Sequence, residues 1–222
     1  MCGRFSLSGD IDFYAEYFGP DVISPALTAS WNVAPNDDVY VVAEREGKRT
    51  LETMKWGLVP HWARDQKAIN INARSETVAT APAFRDSFAR KRCLIPADGF
   101  YEWETGRIPH WIHRADGFPV GFAGIWSTRQ AHVGEWVRTC AILTTSSRGV
   151  IARLHDRMPI ALHPDNWEAW LDRDLTDGPA AFGLLRPIAD DLWMEREVST
   201  RVNSVRNNDP GVQGLPEQRR LI

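Results

Sequence analysis

Cysteine and lysine are scarce in this chain. Three cysteines among 222 residues, at positions 2, 93 and 140 and without CxxC spacing, exclude a disulfide framework and a structural zinc site. They point instead to a reducing cytoplasm, where Cys2 stays a thiol. No apolar run approaches transmembrane length and no charged-then-apolar leader opens the chain, so neither a membrane partner nor secretion is expected. There is no repeat, no low-complexity tract and no linker long enough to separate domains. One domain over residues 1–222 is expected, large enough to bury a substantial core. Nothing in the residue pattern calls for a metal, a cofactor or an obligate protein partner.

Only four of the 26 basic residues are lysine (positions 48, 55, 67 and 91); the other 22 are arginine. A net charge of −3 excludes binding to a polyanion by bulk charge alone. Arginine is the side chain that grips phosphate with a planar fork and stacks on bases, although a GC-rich coding sequence inflates arginine in the same way. Ten tryptophans are unusual; most belong in a core, and a few exposed ones would serve as stacking platforms or wedges.

Residues 10–18 read as a short helix stopped by Gly19-Pro20. Strand-like runs follow at 39–43, 50–56, 93–95, 100–104, 111–113, 120–126, 136–144 and 158–162, several joined by hairpin turns such as Glu46-Gly47-Lys48. Helical patterns fall at 75–79, 82–89, 149–154, 164–171 and 179–185. Many strands with short turns and irregularly inserted helices predict an α+β fold: a curved antiparallel, barrel-like sheet with peripheral helices.

Cys2 follows Met1 directly. Removing one residue therefore creates a 1,2-aminothiol, which condenses with an aldehyde and closes a five-membered thiazolidine ring. Chance placement of cysteine after methionine is common, so Cys2 alone decides nothing. Three further segments carry polar residues that packing does not require: Asn70–Glu76, Asp98–Trp103 and Leu154–Pro159. Singly, Asn72 reads as a turn residue, Glu102 as a solvated strand carboxylate and His155 as a polar residue near a helix end.

Taken in order, MCGRF (1–5), WNVAP (31–35), WGLVPHWA (56–63), NARSET (72–77), GFYEW (99–103) and HDRMP (155–159), with VNSVRNNDP (202–210) more weakly, resemble the SOS response-associated peptidase family. Its members are also called abasic-site processing proteins. The resemblance implies a single domain that recognises abasic sites in single-stranded DNA and bonds to them covalently. It also implies a proteolytic step that exposes Cys2, and work near the nucleoid and the replication machinery.

The residues suit that chemistry. An α-amine has a reference pKa near 8, so an appreciable neutral fraction attacks an aldehyde at about pH 7. The thiol is partly ionised near neutrality, and an adjacent arginine would increase that fraction. Glu102 is expected to relay protons through addition and dehydration. Tyr101 and Trp103, on the opposite strand face, would anchor it. His155 suits proton transfer to the sugar oxygen as the ring opens, and the resemblance places it at the abasic sugar too. Asn72 would hydrogen-bond sugar, phosphate or amino terminus. Arg4, Arg74 and Arg157 are candidate phosphate contacts, Thr144 and Ser146 candidate hydroxyl contacts, and Trp56 and Trp62 candidates for base wedges, core packing being the equal alternative for both. An amine without the thiol would form an imine and permit β-elimination, a lyase side activity that ring closure suppresses. Two other readings remain open here. A cysteine peptidase acting on proteins would pair Cys2 as nucleophile with His155 as base. A noncatalytic single-strand binder would use arginine and tryptophan alone.

Overall fold

The computed structural model describes residues 2–24, 26–63, 69–132 and 134–216, without the side chains of 131 and 132. In chain order the strands are β1 (Phe5–Leu7), β2 (Val22–Ile23), β3 (Ser30–Val33), β4 (Asp38–Arg45), β5 (Lys48–Trp56), β6 (Asn72–Arg74) and β7 (Arg92–Ala97). They continue as β8 (Gly99–Glu104), β9 (Ile108–Arg114), β10 (Val120–His132), β11 (Glu135–Ser146), β12 (Arg157–Pro159) and β13 (Trp193–Glu197). The helices are α1 (Ile11–Phe18), α2 (Arg85–Arg90), α3 (Trp167–Leu171) and α4 (Gly178–Gly183), with several 3-10 turns between them.

Five strands close a ring. β11, β10, β7, β4 and β5 pair antiparallel in that order, and β5 then meets β11 in a parallel pairing of Thr139 with Lys55 and Cys140 with Trp56. Closure removes both sheet edges along the ring. A second, five-stranded sheet of order β13-β9-β8-β1-β3 packs alongside. Phe5 of β1 joins the two, its ring 4.9 Å from Trp56 and 6.4 Å from Phe122. Among the described residues no helix is long and apolar enough to cross a membrane.

Local sequence accounts for most of these elements. The Asp10 carboxylate caps α1 by accepting from the Phe13 N–H at 2.8 Å, and Gly19 ends it with φ 58°, while Tyr14 and Phe18, four apart, turn inward. The β4–β5 hairpin reverses at Glu46 and Gly47, both at positive φ, as a tight two-residue turn demands.

Three expected elements differ. Residues 75–79 form turns rather than a helix: the Ser75 N–H continues the β6–β11 pairing onto the Thr144 carbonyl at 2.9 Å, and the backbone then closes three-residue turns, Thr77 N–H onto Arg74 and Thr80 N–H onto Thr77. Residues 149–153 make a 3-10 turn. The strand expected over 158–162 runs over Arg157–Pro159, beyond which the Ile160 N–H still reaches the Leu143 carbonyl at 2.9 Å, its own carbonyl turns to the Ala123 N–H, and Ala161 and Leu162 make only isolated bridges.

Candidate functional site

Cys2 lies just ahead of β1, whose pairing with β8 sets Phe5 opposite Phe100 and Ser6 opposite Gly99. The Tyr101 N–H donates to the Arg4 carbonyl at 3.0 Å, which fixes the amino-terminal segment along β8. Cys2 is 0% exposed. Its carbonyl accepts from Asn72 Nδ2 at 2.8 Å, and Asn72 is held there by β6, whose parallel pairing with β11 places Asn72 opposite Ile142. Asn72 Oδ1 is buried and has no hydrogen-bond partner among the described residues, which leaves one acceptor for an incoming donor.

Glu102 is 3% exposed. Burial pushes its carboxyl from 4.5 up to about 7, against the pull of the positive amino terminus and with a further upward push from Asp156. Burial also raises the Cys2 thiol far above its ordinary value, and the charge of Glu102 raises it further. The thiol therefore stays protonated near neutral pH. This corrects the expectation of an arginine-assisted thiolate: the Arg4 guanidinium turns away, donating to Asn32 Oδ1 and to the Val202 carbonyl.

His155 follows the 3-10 turn. Its Nδ1 lies 2.9 Å from the Arg157 backbone N–H and 2.7 Å from the Asp156 carboxylate. A neutral ring accepts from the backbone there, and a protonated one donates to Asp156. Burial first, and then the charge of the amino terminus, lower its pKa, so the neutral form prevails near pH 7. Asn72 thus contacts Cys2, the charge of Glu102 acts on the Cys2 thiol, and Glu102 and His155 both feel the amino terminus and Asp156, so four separated segments converge near the start of the chain.

The other candidates divide. Arg74 is exposed and its guanidinium makes no hydrogen bond or ion pair among the described residues. Trp62 is 56% exposed and Ser146 is also on the surface. Trp56 is a correction: it is 0% exposed, donates to the Ile71 carbonyl at 2.9 Å and packs on Phe5, so it belongs to the core and reaches no base. Thr144 is a second one, since it is fully buried with its carbonyl taken by Ser75 and Arg157. Arg157 and Arg4 carry internal partners where free phosphate forks were expected. Arg157 forks onto Glu76 at 2.6 and 2.9 Å and reaches the Thr144 carbonyl at 2.6 Å, tying the segment after β6 to β11 and β12.

Sequence reasoning missed Glu76 and Asn32 although both stand inside quoted motifs. Asn32 Nδ2 reaches the carbonyls of Ser204 and Asn207 at 3.0 and 2.8 Å, so WNVAP and VNSVRNNDP are two halves of one latch. Around that latch Tyr101, Val198, Val202 and Val212 form a separate apolar cluster with Trp103 against it, on the face of β8 opposite Glu102.

A closed five-stranded barrel thus carries, at one place, a buried cysteine near the start of the chain, a buried carboxylate, an asparagine and a histidine. The family described as SOS response associated peptidase (SRAP) matches residues 1–205, and the chain belongs to that family. It is 37% identical over 218 residues to the abasic site processing protein YoqW of Bacillus subtilis, covering 95% of this chain and 97% of that one. It is 31% identical over 189 residues to YedK of Escherichia coli, also called an abasic site processing protein, covering 82% and 84%. Among solved structures, a Bacteroides thetaiotaomicron protein superposes with TM-score 0.83 at 24% identity, covering 96% of this chain and 99% of that one. A Bordetella bronchiseptica protein superposes with TM-score 0.78 at 26% identity, covering 89% and 100%.

Proposed function

We propose that this protein processes abasic sites in single-stranded DNA by bonding covalently to them through Cys2. One observation carries the reading: a fully buried second-residue cysteine, clamped at its carbonyl by Asn72, beside a carboxyl raised to about 7. The names of its relatives supply the substrate class.

With Met1 removed, the Cys2 amine adds to the open-chain aldehyde of the abasic deoxyribose to give a carbinolamine, which loses water to an imine. The thiol sulfur then bonds to the imine carbon and its proton ends on nitrogen, closing the thiazolidine. A carboxyl near 7 is present in both forms at neutral pH, so Glu102 can take the amine proton and return one to the leaving hydroxyl. Because the thiol is protonated, the amine attacks first and sulfur second. His155 serves ring opening of the sugar, and Asn72 Oδ1 accepts from substrate or amine. Arg74, Trp62 and Ser146 form the exposed contacts to the strand. Stopping at the imine would allow β-elimination, so sulfur closure protects the DNA, and such work belongs in a reducing compartment where DNA is copied.

A peptidase acting on other proteins needs a thiolate paired with histidine. Here the charges acting on Cys2 are those of Glu102 and the amino terminus, and the sulfur faces the Arg4 carbonyl at 3.9 Å. Intact mass of the chain before and after mixing with an abasic single-stranded oligonucleotide tests the reading. The adduct should survive heating in detergent, start at Cys2, disappear in Cys2→Ala and persist in Cys93→Ala and Cys140→Ala. An undiminished adduct from Cys2→Ala, or adducts that retain Met1, would refute it.

A further inference from the structure

The sheet face that carries Glu102 holds a second set of ionisable side chains that no step above uses. His110 on β9 is the direct cross-strand partner of Glu102 on β8, so the two side chains leave the same face with Cβ atoms about 5 Å apart. On the next strand β13 sets Glu195 opposite Ile112, two residues on from His110 and therefore on that face as well. The Glu195 carboxylate is the meeting point: Oε1 pairs with Nδ1 of His110 and Oε2 with the guanidinium of Arg153. His110 and Glu195 are buried, while Arg153 is 63% exposed and reaches in from the surface.

Arg153 ends the 3-10 turn that leads into His155, and the His155 N–H donates to the Ile151 carbonyl of that turn at 3.1 Å. One carboxylate thus joins the strand beside Glu102 to the turn that bears His155. A buried carboxylate weakens a fold unless partners compensate it, and an apolar side chain would serve packing as well or better. What the charged bridge adds is a fixed separation between the His110 strand and the turn that leads into His155.

We propose that Glu195 is a positioning residue for the crosslinking reaction, holding the His155 turn against the Glu102 strand through the Arg153–Glu195–His110 bridge. This rests on the crosslinking reading above. Misplacing a reacting group by about 1 Å costs up to about a hundredfold in rate with little change in affinity.

The test separates the two quantities. Affinity is read with an oligonucleotide carrying a tetrahydrofuran site, which has no aldehyde; the single-turnover rate is read with a true abasic site. Glu195→Gln and Arg153→Ala should each slow adduct formation by roughly tenfold to a hundredfold while affinity for the tetrahydrofuran strand is unchanged. The double variant should be no slower than the slower single one, since both break one bridge. Glu195→Asp keeps the charge and should recover part of the rate. Arg153 is a surface side chain, so Arg153→Ala keeps the proposal testable if Glu195→Gln folds poorly. A wild-type rate in Arg153→Ala, or a loss that appears in affinity alone, overturns the bridge. A wild-type chain that forms no adduct overturns the crosslinking reading itself.

Discussion

Replacing Glu102 with glutamine should make this protein more stable and less active. The carboxyl moves from 4.5 to about 7 on folding. Between those pH values the folded chain holds a proton that the unfolded chain has released, so stability falls as pH rises through the window. Above the window, forcing Glu102 to ionise in its buried place costs about 3 kcal/mol; at pH 5 most of that is absent and about 1 kcal/mol remains. Glutamine resembles the protonated acid and never ionises. Glu102→Gln should therefore melt roughly 6–12 °C above wild type at pH 8, with the gap shrinking toward pH 5. Its crosslinking rate should fall at the same time, at the low end of the two to four orders of magnitude typical for a lost acid–base group or below it, because aminothiols react readily with aldehydes unaided. Thermal melts at several pH values beside single-turnover crosslinking measure both. A variant less stable than wild type at pH 8, or a gap that does not change with pH, would refute the reasoning, since a structural carboxylate predicts loss in both assays.

The arginines should separate by their partners. Arg74→Ala should weaken binding to intact and abasic single strands alike and reduce the salt slope by about one, whereas Arg157→Ala, which removes the fork on Glu76 and one of the two donors to the Thr144 carbonyl, should lower stability by about 1–3 kcal/mol. An Arg157→Ala chain that melts like wild type would sink that distinction. The tryptophans should separate by burial: Trp56→Ala should destabilise by about 3–5 kcal/mol, and Trp62→Ala by under about 0.5 kcal/mol with weaker affinity for single strands. Equal melting temperatures for the two would show that the burial argument fails.

Continuous apolar runs such as 39–43 and 120–126 announced their strands because a strand buried on both faces is apolar at every position and rich in β-branched and aromatic residues. The short strands β1, β3, β6 and β13, of three to five residues, leave no period to read. They exist because a neighbouring strand offers hydrogen bonds, which is information held elsewhere in the chain. The same division applies to the site. Cys2, Asn72, Glu102 and His155 stood out because their polarity lacked a packing reason. Trp56 and Thr144 sit in equally distinctive surroundings, yet burial alone decides their part, and burial depends on the whole barrel. Glu195 lies in a segment without any motif, and only the pairing of β13 with β9 reveals what it touches.

Complete burial of Cys2 also sets a clock. The residue is made well before Asn72, Glu102, His155 and Glu195, which follow over the next two hundred or so positions. At about 5–20 residues per second, synthesis leaves the start of the chain uncovered for roughly ten to forty seconds. An external aminopeptidase has its access then; once the strands close, Cys2 is 0% exposed. The same interval exposes a naked aminothiol to every aldehyde in the cell. A chain trimmed early risks capture before it has a pocket, and one trimmed after folding does not.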